Sequence, residues 1–348
     1  MVIIENVFLL LGAIAVFSYG LKKISEQTGM LCGGRLNSIV HGATGNVFCA
    51  TAAGILSTAV MQSSIATNMI SITFVEKGII SFYTCAAIIM GTNVGTTMTA
   101  QLVSLSSAFD FNMSAIGCFV AFLGFLFTLS NKKTLKCAGG AMLGFGFIFI
   151  GMKLMTEAVQ SFKYYEWFNN LFLVKNPVLL FLNGLVLTAL LQSSSVITSV
   201  MIVLASIGLI SFHESLFIVL GSNIGTCIPV MLASANMSIP AKKAAFFNLV
   251  FNVFGAAVFF LPLALLKGGI ESLYIFSFSA SRNIANFHTF FNLILCVGIL
   301  PFLKQFTALT EKLFDIIYGD NSVKKRKCGK IKAKNTIKKS KTIDFKAF

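Results

Sequence analysis

The sequence predicts an all-α, polytopic membrane protein made of two inverted-topology repeats with broken helices or re-entrant hairpins, followed by one further C-terminal helix. Three observations carry this. Of 348 residues, 56% are hydrophobic and only 11% charged, with a mean hydropathy of +0.85, far from the composition of a soluble domain. Long apolar runs occupy 6–21, 114–130, 137–152, 244–266 and 284–303. Crossing a hydrocarbon core takes roughly 20 helical residues, and a helix satisfies its own backbone polar groups there. Finally, a set of polar and small residues recurs at a constant spacing of 130.

The first apolar run is preceded by Met1 to Asn6, which carries Glu5 and no Lys or Arg, and is followed by Lys22 and Lys23. A cleavable signal peptide has the opposite charge order, so the run reads as a retained first helix. Next come Gln62-Ser63-Ser64 and Gly91, Asn93, Gly95 and Thr96. They return as Gln192-Ser193-Ser194 and Gly221, Asn223, Gly225 and Thr226. Over 62–97 against 192–227 the two stretches agree at 13 of 36 positions without a gap. The agreement concentrates on Gln, Ser, Asn, Thr and Gly, which shared hydrophobicity does not explain and duplication does. Each copy predicts two helix breaks, one at Gln-Ser-Ser and one at GTNVGTT (91–97) or GSNIGTC (221–227). Paired glycines loosen a helix by about 1 kcal/mol each relative to Ala, and Pro229 strengthens the second copy's break.

Basic residues set the orientation. Lys22, Lys23 and Arg35 follow the first helix, Lys132, Lys133 and Lys136 separate the copies, Lys242 and Lys243 precede a late helix, and a basic tail ends the chain. Placing all four clusters in the cytoplasm puts the N-terminus outside and the C-terminus inside a plasma membrane, and makes the copies inverted. The expected organisation is 1–133 for the first transmembrane repeat, 134–270 for the second, 271–305 for an extra transmembrane helix and 306–348 for a basic cytoplasmic tail. The net charge of +15 lies largely in that tail, between Lys324 and Lys341, with no aromatic residues interleaved. It fits the positive-inside pattern and an anionic lipid bilayer, and no nucleic acid is expected as a partner. The eight cysteines form no CxxC pair and have no His at ligand spacing, so they read as packing residues.

Inverted repeats with broken helices are the architecture of secondary transporters, which hold substrate and ions between the halves. None of the twelve carboxylates lies inside the repeated motifs, which disfavours proton coupling. Neutral oxygens of Gln, Ser, Thr and Asn suit sodium instead. Helix N-termini, hydroxyls and amides suit an oxyanion. The rival from another class is an intramembrane hydrolase with a motif serine as nucleophile. It would need a base, and His41, His213 and His288 all lie outside the motifs.

The doubled QSS and G-x-N-x-G-T motifs closely resemble those of the sodium-dependent phosphate symporters, the type II Na+/Pi cotransporters and their bacterial relatives, over about residues 1–305. The resemblance implies a transporter and not an enzyme. It would carry inorganic phosphate with sodium, the co-transported ion, by alternating access. It implies that Gln62, Ser63, Ser64, Gln192, Ser193, Ser194 and Ser195 line the substrate site. Sodium would be held at Gln62, Asn93, Thr96, Gln192, Asn223 and Thr226. The first motif has Ile65 where the second has Ser195, and the second glycine motif ends in Cys227 where the first has Thr97. The basic tail implies a form lacking the regulatory domain that many bacterial relatives append. A symporter of another anion, such as a dicarboxylate or sulfate, is the alternative within transport.

Overall fold

A computed structural model describes residues 2–42, 46–105, 112–162, 175–266 and 278–319. The chain divides into two compact units, Met1–Leu303 and Lys304–Phe348. Among the described residues the first unit is helical. Its helices are α1 (Val2–Gly42), α2 (Val47–Met61), α3 (Ser64–Glu76), α4 (Phe82–Leu105), α5 (Met113–Thr128) and α6 (Lys133–Phe162), then α7 (Pro177–Leu191), α8 (Ser194–Ser206), α9 (Phe212–Gly225), α10 (Cys227–Ala233), α11 (Ile239–Leu266) and α12 (Ala280–Ile299). Among the described residues, five helical stretches, beginning at Ile4, Lys133, Phe212, Ile239 and Ala280, are long and apolar enough to cross a membrane. The protein is an all-α polytopic membrane protein.

The helix that follows Leu300–Phe302, α13 (Leu303–Tyr318), extends into the stretch expected as tail. Its residues alternate Phe306, Leu309, Leu313 and Phe314 with Lys304, Glu311, Lys312 and Asp315, an amphipathic spacing. The Lys324–Lys341 run lies outside the described residues.

Small residues bring α2 against α4. A Cβ on Gly54 would collide with the Ile88 carbonyl, one on Gly91 with the Thr51 carbonyl, and one on Gly95 would lie 2.6 Å from the Ile55 carbonyl. Contact positions rise together on both helices, so α2 and α4 run parallel. The intervening α3 must therefore carry the chain back, which makes α2 and α3 a helical hairpin, and Asn68 on α3 accepts a hydrogen bond from Thr92 Oγ1 on α4 at 2.7 Å. The second copy repeats this arrangement. A Cβ on Gly184 would collide with the Ile218 carbonyl, one on Gly221 with the Phe181 carbonyl, and one on Gly225 would lie 2.6 Å from the Leu185 carbonyl. At 15 and 13 residues, the two arms of each hairpin are each shorter than a full crossing requires.

The glycine motifs thus serve close packing, which corrects the expected break at 91–97. Helix α4 is uninterrupted from Phe82 to Leu105, and its threonines bond back along it, Thr96 Oγ1 to the Thr92 carbonyl at 2.7 Å. In the second copy the chain does break, at Thr226 between α9 and α10. Pro229 cannot donate to the Gly225 carbonyl, and α4 has no proline at the matching position.

A second correction concerns α1. Lys22 and Lys23 lie inside one helix running to Gly42, not at its end. Lys, Glu and Gln are good helix formers, and no proline intervenes. Helix α1 packs against α6 through Gly20 beside Gly144 and Ile148, Gly144 beside Ile24, Gly151 beside Phe17 and Gly140 beside Gln27. As α1 numbers rise, α6 numbers fall, so the two are antiparallel. Helix α12 ties the copies together. Gln101 on α4 donates to the Ala285 carbonyl and to Thr289, and Ser281 on α12 donates to the Ile202 carbonyl of α8.

Candidate functional site

Each hairpin turns in two residues. Gln62 caps the end of α2 in the left-handed conformation (φ 53°) and Ser63 caps the start of α3, its Oγ accepting from Ala66 N at 3.3 Å. Gln192 (φ 55°) and Ser193 do the same between α7 and α8, with Val196 N at 3.4 Å from Ser193 Oγ. Among the described residues, Gln62 and Gln192 are the non-glycine residues with positive φ. That conformation costs an L-residue roughly 1–2 kcal/mol, and the αL position is one glycine would fill freely. The two turns thus hold the same residue in the same costly conformation at matching positions.

At each tip a helix C-terminus meets a helix N-terminus. Carbonyl oxygens and free N–H groups are therefore side by side, the first suited to a cation and the second to an anion. The two tips line one cavity of about 380 Å³. Gln62, Ser63, Gln192 and Ser193 face it, together with Ser18, Lys22, Ser25 and Glu26 of α1. Its volume falls within the roughly 300–1,000 Å³ usual for small-ligand sites.

A short hydrogen-bond chain joins the copies beside this cavity. Gln62 Nε2 donates to the Ala59 carbonyl at 2.6 Å, and Gln62 Oε1 accepts from Thr99 Oγ1 at 2.6 Å. Thr99 Oγ1 in turn accepts from Ser195 Oγ at 3.4 Å. Ser194 and Ser195 are buried, whereas Ser64 is half-buried. Thr58 and Thr188, one turn before the glutamines, are wholly buried with no hydrogen-bond partner for either hydroxyl.

Three of the remaining expected sodium ligands donate hydrogen bonds within their own helices. Asn93 Nδ2 bonds the Ile89 carbonyl, Thr96 the Thr92 carbonyl, and Thr226 the Asn223 carbonyl. Asn223 Oδ1 lies 3.3 Å from His288 Nε2, a partnership invisible in the sequence because 65 residues separate the two. Around it are Cys227, Asn248 and Asn252, with Cys227 Sγ donating to the Asn248 carbonyl and Asn252 Nδ2 to Asn248 Oδ1. Since Nδ1 of His288 has no partner, neither ring nitrogen bonds a motif serine as the hydrolase reading requires.

Sequence reasoning missed Thr99 and the α1 residues. A signal for the latter exists: GLKKISE at 20–26 returns as GMKLMTE at 151–157, a G-x-K-x-x-[Ser/Thr]-Glu pattern at an offset of 131.

A contact away from the cavity also joins the copies. The exposed carboxylate of Glu76, at the end of α3, accepts from Ser238 N at 2.7 Å and from Ser238 Oγ, capping α11 from outside. The Ser238 hydroxyl, then its N–H, and the nearby charge of Lys242 hold the Glu76 carboxyl below its ordinary value. Because the folded value is the lower one, this contact stabilises the protein at neutral pH and is lost as pH falls through the folded value. Glu76→Gln is expected to lower thermal stability at pH 7 and to narrow the gap from wild type towards pH 3, read by melting of the detergent-purified protein across pH.

The fold and site define a polytopic helical membrane protein with two matched polar turns on one cavity. Residues 16–157 and 166–300 match the Na+/Pi-cotransporter family model, and the chain belongs to that family, a family of phosphate transporters and not of enzymes. It is 33% identical to the uncharacterized protein YqeW of Bacillus subtilis over 74% of this chain and 82% of YqeW. It is 27% identical to the putative inorganic phosphate export protein YjbB of Escherichia coli K12 over 84% of this chain, and that match spans about half of YjbB, 53%. A 103-residue stretch, 26% of this chain and 17% of the relative, is 36% identical to mouse sodium-dependent phosphate transport protein 2C. No solved structure matches the chain.

Proposed function

We propose that the protein is a secondary transporter that couples inorganic phosphate to sodium by alternating access. The observation that carries this reading is the meeting of both Gln-Ser turns on one cavity. Phosphate would be held by the Gln62 and Gln192 amides, the hydroxyls of Ser63, Ser64, Ser193, Ser194 and Ser195, and the N-terminal N–H groups of α3 and α8. Sodium would use the carbonyl ends of α2 and α7 and the glutamine oxygens, its charge offsetting that of the oxyanion. Asn93, Thr96, Asn223 and Thr226 would support it by holding the backbone behind the tips.

Residues 1–133 and 134–270 would form the two inverted halves, 271–305 the added helix and 306–348 the cytoplasmic tail. Inversion is supported by the antiparallel course of α1 and α6, which begin the two halves. The N-terminus would lie outside. A symporter moves phosphate down the combined gradient, inward under an inward sodium gradient. The name of the Escherichia coli relative favours export as a second reading.

Uptake of labelled phosphate into proteoliposomes tests this, comparing an inward sodium with an equal inward potassium gradient. The expected result is sodium-dependent uptake that Gln192→Ala lowers at least about tenfold at low phosphate while reconstitution is unchanged. Equal flux under both gradients would refute coupling. Efflux from preloaded vesicles decides between the directions.

A further inference from the structure

Helix α1 begins as a stretch apolar enough to cross a membrane and continues, within Ile4–Cys32, into a turn that carries Lys22, Lys23 and Glu26. Lys22 Nζ lies 3.9 Å from Glu26 Oε1 one turn on, and both residues line the cavity into which the Gln-Ser turns project. The pair is loose and exposed, the kind that contributes little to stability, so Lys22 can exchange its partner at small cost.

The same arrangement occurs once more. On α6, Lys153 Nζ lies 3.8 Å from Glu157 Oε1, and the shared pattern sets Gly20, Lys22, Ser25 and Glu26 against Gly151, Lys153, Thr156 and Glu157. The packing obeys the same correspondence. Gly20 approaches Ile148 and Gly151 approaches Phe17, the two contacts exchanging when 131 is added to one position and subtracted from the other. Helices α1 and α6 are therefore related by a local two-fold, and that operation carries the Lys22–Glu26 pair onto the Lys153–Glu157 pair. Only the first of these is part of the cavity lining.

We infer that Lys22 and Lys153 are alternating counter-charges for the transported oxyanion, Lys22 in the access state seen here and Lys153 in the state open to the opposite face. On entry the anion takes the ammonium from the carboxylate of Glu26, which is then free to receive the co-transported cation. Glu157 would play the matching part on the other side. This deepens the phosphate-carrier reading and rests on it, supplying the fixed charge that neutral Gln and Ser side chains lack.

The test measures phosphate entry separately from each face of oriented proteoliposomes, for wild type, Lys22→Met, Lys153→Met and the two Lys→Arg variants. Loss of one charge-assisted hydrogen bond is expected to raise the half-saturating phosphate concentration about tenfold or more. Lys22→Met should do so for one face and Lys153→Met for the other, with Arg restoring most of the affinity, a pattern that simple loss of packing does not produce. Unchanged half-saturation in both Met variants, from both faces, with wild type transporting, overturns the inference and leaves the phosphate reading intact. An equal rise from both faces for either variant overturns the alternation. If wild type transports no phosphate, the phosphate reading falls first. Heat stabilisation by sulfate, malonate or phosphate on the same variants then decides, and stabilisation that is absent in wild type or insensitive to both lysines overturns the counter-charge as well.

Discussion

Gln192→Gly is expected to give a protein that folds at least as well as wild type and loses most of its transport at low phosphate. The αL backbone at Gln192 costs a side-chain-bearing residue roughly 1–2 kcal/mol, and glycine removes that cost. The proposed phosphate site meanwhile loses an amide on the cavity wall, and a lost hydrogen bond to a charged ligand of about 1.5–3 kcal/mol corresponds to a tenfold to hundredfold fall in flux at low substrate. Gln192→Ala should transport as poorly but melt lower than the glycine variant, because alanine keeps the strain without the amide. Gln62→Gly should differ in stability, since Gln62 also holds Thr99 and the Ala59 carbonyl, bonds that offset the relief. Melting curves beside uptake rates read all three. A glycine variant that both transports and melts like wild type would show that the strained glutamine serves no purpose.

The second large effect falls on structure. Gly221→Ala places a methyl group onto the Phe181 carbonyl, a backbone atom that cannot swing aside. Forcing α7 away from α9 should cost about 1–3 kcal/mol or more and shift the Gln192 turn with it. Gly91→Ala should do the same to α2 and Gln62, through the Thr51 carbonyl. Gly12→Ala is the control. It faces open space, and helix propensity alone predicts a gain of up to about 1 kcal/mol. Size-exclusion profiles and melting in detergent distinguish the three. If Gly221→Ala ran as a monodisperse peak with an unchanged melting temperature, the close helix approach would not matter.

The sequence made the membrane class plain, because apolar runs interrupted by lysine clusters leave few alternatives. It also marked Gln62, Ser63, Gln192 and Ser193, because amides and hydroxyls repeated at 130 have no packing explanation that needs them twice. It misled at Gly91 and Gly95. Glycine loosens a helix and also admits a neighbour, and only the position of α2 decides which effect prevails. Lys22 and Lys23 looked like a loop because charge usually ends a membrane helix, whereas the chain continues helical to Gly42. Thr99 and His288 were beyond reach for a simpler reason. Their partners Gln62 and Asn223 lie 37 and 65 residues away, and no local pattern encodes such pairings.

The unequal treatment of the two glycine motifs has a mechanical meaning. A rod and a jointed rod occupy equivalent places, α4 in one half and the α9–α10 pair in the other. Bending at Thr226 sacrifices no hydrogen bond at Pro229, because that bond was never there, while the same bend near Thr96 would have to break one. Under the proposed alternating access, bending would fall on the half that holds Thr226 and Pro229, while the half that holds α4 would stay straight and serve as its support.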